Sequence, residues 1–184
     1  MSTPANGFPR FDTNPPVDRL NKWLRRWWPA LVWAVVISGF STGAFTSDYT
    51  SHFIIPILRF FLPHAAPETL DFLHHIIRKC GHLTEYFILS MLILRGVRAG
   101  AKGMHLRWAL VTILIIAGYA ALDEFHQSFV PGRTAAVGDV LIDASGGTAA
   151  LIVASLFVLL GKAREKRHEE ERNAAARTIP TNTA

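Results

Sequence analysis

His75, Lys79, His82 and Tyr86 follow one another at intervals of four, three and four residues. On a helix this spacing lines them along one stripe about 60° wide, with Glu85 on its flank. A second polar group closes a later apolar run, where Asp123, Glu124, His126 and Gln127 precede the turn formers Pro131 and Gly132 and then Arg133. A third opens the last apolar run, with Asp139 and Asp143 one helical turn apart on a face that continues through Gly146, Ala150 and Ala154. The chemistry these types allow is recognition of a charged polar group. Lys79 and Arg133 suit a phosphate or carboxylate. Glu124, Gln127, Asp139 and Asp143 suit hydroxyl or amine donors, or a cation, and His82 and Tyr86 suit the wall of the same pocket. His126, Asp139 and Asp143 are also of the types that ligate a divalent cation.

The elements that carry these residues are membrane helices. The chain has 184 residues, half of them hydrophobic, which is one domain's worth. No Lys, Arg, Asp or Glu occurs in 27–47, 87–94, 108–122 or 144–161. Crossing a hydrocarbon layer takes roughly 20 mostly apolar residues in a helix, because lipid offers no partner to the backbone. The expected fold is therefore an all-α integral membrane bundle of four transmembrane helices, at about 27–46, 73–94, 108–127 and 139–161. The second span is the least apolar, since Arg78, Lys79, His82 and Glu85 interrupt its first half. Ionised groups facing lipid cost roughly 3 kcal/mol each on insertion scales, so this polar stripe is expected to face the bundle interior.

Fifteen of the nineteen Lys and Arg residues lie before span one, between spans two and three, or after span four. The positive-inside rule then places both termini in the cytoplasm. Loops one and three face outward, with eight of the fourteen acids and six of the eight histidines on that side. The net charge of +5 is accounted for by this membrane asymmetry, and no nucleic-acid partner is expected. The single cysteine, Cys80, excludes an intrachain disulfide and any cysteine-rich metal site. Ser41, Thr42, Gly43 and Ala44 after the first apolar run resemble a signal-peptide end. The long basic leader and a core of nearly twenty residues favour a permanent anchor.

Residues 1–22 read as a cytoplasmic disordered tail, 23–161 as the transmembrane domain, and 162–184 as a charged cytoplasmic tail able to extend the last helix. Within loop one, Phe53 to Leu62 is apolar but too short to span, which suggests an interfacial or re-entrant piece.

Two blocks resemble the VanZ-like membrane proteins, a family associated with teicoplanin resistance. They are Lys79-Cys-Gly-His82-Leu-Thr-Glu85-Tyr86, and Asp123-Glu124-Phe-His-Gln127-Ser-Phe-Val-Pro131-Gly-Arg133 leading to Asp139-Val-Leu-Ile-Asp143-Ala-Ser-Gly146. The resemblance covers about 75–160 and implies roles for Lys79, His82, Tyr86, Glu124, Gln127, Arg133, Asp139 and Gly146. The family pattern often has Asn at the position of Asp143, so this chain carries an additional acid there.

Three functions fit. The preferred one is binding, without catalysis, of an envelope lipid or lipid-linked cell-wall precursor head group at the outer face, with an effect on glycopeptide sensitivity. The second is metal-assisted hydrolysis or transfer at a lipid-linked phosphate. The third is a small proton-coupled transporter. No cofactor is expected beyond a divalent cation in the second case, and the expected partners are membrane lipid and a further copy of the chain.

Overall fold

The computed structural model describes residues 16–41, 47–129 and 137–177. Among these the fold is all-α, with helices α1 (Pro16–Phe40), α2 (Ser47–Phe61), α3 (Pro67–Arg98), α4 (Leu106–Gln127) and α5 (Val137–Arg177) and no strand. Helix α1 starts earlier than the apolar run, so 16–22 are helical rather than part of a disordered tail. Pro16 opens it, where a missing N–H costs nothing, and Asp18 sits in the first turn, where an acid complements the dipole. The apolar piece of loop one is a fifteen-residue helix that accommodates Pro56. Helix α5 runs 41 residues and takes the charged tail with it.

Two of the helices, Leu106–Gln127 and the Gly138–Ala174 part of α5, are long and apolar enough to cross a membrane. Of the other expected spans, 73–94 lies in α3 and 27–40 of the first lies in α1, with 42–46 outside the described residues; both helices are less apolar along their lengths. Helix α1 contains Arg25 and Arg26, and its apolar run continues past Ser41 beyond the described residues, while α3 contains Arg78, Lys79 and Glu85.

Helix α3 is the hub and packs against each of the other four. Contacts fix the directions. Trp27 of α1 lies against Gly96 of α3, Trp33 Nε1 donates to the Glu85 carbonyl at 2.9 Å, and Ser41 reaches the end of α4 at Asp123. Trp108 of α4 packs with Leu94, Leu151 and Ala154, while Asp143 of α5 meets His82. Helices α1 and α4 therefore run one way, and α3 and α5 the other. One end of the bundle gathers the basic stretches 19–26, 95–107 and 162–177, and the opposite end gathers Asp123, Glu124, Asp139 and Asp143.

The core between these helices joins Ala30 and Ile37 of α1, Tyr86, Leu89 and Ile93 of α3, and Ile116 and Ala120 of α4. Around it the usual burial pattern is inverted. Leu114, Leu122 and Phe157 are 69%, 67% and 70% exposed, whereas Asp143 is 3% exposed. Apolar side chains over the exterior, with the buried carboxylates gathered inside one end of the bundle, form the arrangement suited to a hydrocarbon solvent.

The tightest approach is between α3 and α5. A Cβ at Gly146 would collide with the Leu83 carbonyl oxygen, and one at Gly147 would crowd Ile116. Ser90 Oγ donates to the Gly147 carbonyl at 3.0 Å across the same seam. Small residues let helix backbones approach where burial of apolar surface from water cannot drive association. Gly146→Ala is expected to lower stability by about 1–3 kcal/mol, the cost of overpacking. Gly118→Ala, where an added Cβ meets nothing, should not destabilise and is expected to raise stability by up to about 1 kcal/mol through helix propensity. Thermal unfolding of the purified chain in detergent measures both.

Candidate functional site

The acidic end of the bundle holds a network of buried polar side chains. On α4 the buried stripe runs through Thr112, Ile116, Ala120, Asp123, Glu124 and Gln127. The sequence sets Asp123 and Glu124 on helical faces about 100° apart, which suggests that the helix must unwind for both to serve one site. It does not unwind, and remains helical to Gln127. Both acids are buried because helices pack on both flanks. Helix α1 lies on the Tyr119 and Asp123 side, where Tyr119 Oη donates to the Ala34 carbonyl at 2.6 Å and lies 2.8 Å from Ser38 Oγ. Helices α3 and α5 pack against α4 as well.

Asp123 is 5% exposed. Its Oδ2 accepts from Ser41 Oγ at 2.8 Å and from Gln127 Nε2 at 2.8 Å. Gln127 Nε2 also donates to Ser41 Oγ at 3.2 Å. A carboxylate held away from water needs such donors, since each unmet polar group costs several kcal/mol. Asp143 finds its counterpart on another helix, with Oδ1 3.5 Å from His82 Nδ1. Tyr86 is fully buried in the core, its ring 6.1 Å from that of Tyr119. Its hydroxyl has no hydrogen-bond partner among the described residues. Glu124 is buried beside them.

A cleft of about 260 Å³ opens above this network between α1, α2 and α3. Arg78, His82 and Glu85 line one wall, and Ser41, Thr50 and Ile54 line the other. Ser41 and His82 connect the cleft to the buried acids, one to Asp123 and the other to Asp143. Thr50 Oγ1 pairs with His74 Nε2 at 3.0 Å and ties α2 to α3 at the rim.

The residues singled out from the sequence divide clearly. His82, Tyr86, Glu124, Gln127 and Asp143 turn inward at one end of the bundle. Lys79 is half-buried, one turn before His82, and Arg78 rather than Lys79 lines the cleft. His75 is exposed, while its neighbour His74 is the buried member of the pair. Asp139 is half-buried in the first turn of α5. His126 is exposed and borders a separate cleft of about 230 Å³ with Ser38, Tyr119 and Asp123. Arg133 lies outside the described residues. Among those described, no group of three or more His, Cys, Asp or Glu side chains is arranged to hold a metal ion. His126, Asp139 and Asp143 therefore form no such group.

The chain matches the VanZ/LLP1 family over residues 23–158. It belongs to that family. The matched region takes in α1 from Trp23 onward, all of α2, α3 and α4, and the first half of α5, hence the whole polar network and the seam at Gly146. No curated protein and no solved structure matches it. Family membership and the two apolar helices together point to a membrane protein.

Two residues of this VanZ-family network are hard to single out in the sequence. Ser41 reads as one of several small residues, and Asp123 as a solvated helix end. The available signal is periodicity. Ser41 stands four residues after buried Ile37 and eleven after buried Ala30, and Asp123 stands seven after buried Ile116, so both continue core stripes. Ser41→Ala is expected to cost about 1–3 kcal/mol by taking a donor from a buried carboxylate. In an Asp123→Ala background the same change should cost less than half as much. Chemical unfolding of the four variants of this cycle reads the coupling.

Proposed function

We propose that this VanZ-family protein crosses the membrane four times, through α1, α3, α4 and α5, with both termini in the cytoplasm. It binds the head group of an envelope lipid or lipid-linked cell-wall precursor at its outer end. The observation that carries this reading is the cleft over the Ser41–Asp123–Gln127 and His82–Asp143 contacts at the bundle end opposite the basic flanks. An apolar exterior suits a ligand that arrives through the bilayer, and a few polar groups, from Ser41, Thr50, Arg78, His82 and Glu85, set in an otherwise apolar lining suit its head group. Arg78 supplies a cation for a phosphate, and Glu85 with the serine and threonine hydroxyls supplies acceptors for sugar or amine groups. Lys79 and Asp139, both half-buried at the same end of the bundle, add further polar groups there. A protein that withdrew or reoriented such a precursor would alter how a glycopeptide such as teicoplanin meets it.

The charge sorting supports the orientation, since the ends rich in Lys and Arg are retained on the cytoplasmic side. In a Cys80→Ser background, His64→Cys should react with an impermeant thiol reagent added to intact cells. Glu169→Cys should react only after permeabilisation. The reverse pattern would invert the assignment.

Binding is measured with a polyprenyl phosphate and the purified chain by native mass spectrometry. Arg78→Gln is expected to weaken retention about tenfold, the worth of one charge-assisted hydrogen bond. Release of inorganic phosphate that stops with a chelator and with Asp139→Ala would replace the binding role with hydrolysis.

A further inference from the structure

The end of the bundle opposite the polar network carries a second cleft, of about 320 Å³, where the turn between α3 and α4 meets α5. Its wall carries Arg98, Lys102 and Lys162 against one acid, Glu165, with Val158 and Gly161 as its apolar floor. The turn is built to bring these cations together. Ala99 takes the left-handed conformation at φ 53°, and Gly100 and Gly103 follow at φ 84° and 86°, so the chain reverses within a few residues. Arg98 Nη2 donates to the Ala101 carbonyl at 3.2 Å, which holds the guanidinium on the turn that presents Lys102. Lys162 and Glu165 lie along one face of α5, three residues apart.

We propose that this cleft binds the phosphate of an anionic phospholipid in the leaflet at this end of the bundle, making a second lipid site distinct from the cleft at the acidic end. Three cations to one carboxylate leave an excess positive charge in a concave site between helices, which is the chemistry that recognises phosphate head groups at membrane surfaces. The surroundings select a lipid over a free anion. Leu106 at the start of α4 and Leu160, the residue before Gly161 on α5, are 75% and 61% exposed, so acyl chains have apolar surface on both helices at this end. Trp27 covers Gly96, two residues before Arg98, and its neighbours Trp23 and Trp28 are 51% and 56% exposed, which sets this end of the bundle at the depth where tryptophan marks the interface. The site does not depend on which face of the membrane this end occupies.

Native mass spectrometry of the full-length chain in detergent, with phosphatidylglycerol and phosphatidylcholine added together, tests it. Phosphatidylglycerol is expected to be retained in preference. Lys102→Gln with Lys162→Gln, both at exposed positions, should weaken its retention on the order of tenfold. Lys166→Gln with Arg167→Gln removes the same charge one turn further along α5, outside the cleft, and should weaken it less than about twofold. Inorganic phosphate in excess should not displace the lipid. Equal weakening by the two double variants would reduce the site to diffuse attraction and overturn the proposal. Equal retention of the two lipids, or displacement by inorganic phosphate alone, would overturn it too.

Discussion

At Gly146 the backbone of α5 rests on the backbone of α3 at Leu83, closer than any side chain would allow. That contact sets the register of the two longest helices. His82 precedes Leu83 and Asp143 stands one turn before Gly146, so once the backbones touch there, the imidazole and the carboxylate face each other across the seam. Ser90 continues the register by reaching the Gly147 carbonyl further along. In a hydrocarbon solvent no hydrophobic force presses two apolar helices together, and close packing with interhelical hydrogen bonds must do so. The polar pair at the end of the bundle is thus a geometric consequence of a glycine several residues away.

The second constraint is the cost of keeping Asp123, Glu124 and Asp143 away from water. A buried carboxylate is tolerated where donors meet it. The groups that meet these acids come from helices distant in sequence: Ser41 of α1 donates to Asp123, and His82 Nδ1 of α3 stands 3.5 Å from Asp143 Oδ1 without a hydrogen bond between these two atoms. The same two residues border the cleft, so residues that hold the acids in place also present polar atoms to whatever enters. Stability and recognition share side chains here. The basic end shows the complementary arrangement, with cations at the surface around a tight turn and tryptophans at the same end.

Much of this was legible in the sequence. The all-α class, the run of α4, the long last helix, and the inward face carrying His82, Tyr86 and Asp143 all follow from apolar periodicity interrupted by ionisable residues. Small residues at Gly146, Ala150 and Ala154 marked the seam. Periodicity failed where it had to compare faces of different helices. It chose His75 over His74 and Lys79 over Arg78, whereas the structure buries His74 and puts Arg78 on the cleft, because adjacent residues lie about 100° apart and only the position of a neighbouring helix decides which is covered. The same limit made the two acidic faces of α4 look incompatible, when helices on both flanks bury both.

The amino-acid sequence by itself determined the helices, their apolar surfaces, the sorting of positive charge to particular loops and the inventory of polar groups, because these depend on local spacing and on the cost of charge in lipid. Tertiary structure alone decided that Ser41 belongs to Asp123, that His82 belongs to Asp143, and that Arg78 lines the cleft. The two pairings join residues 82 and 61 positions apart in the chain, and no local rule of spacing relates groups whose meeting depends on how closely two backbones can approach.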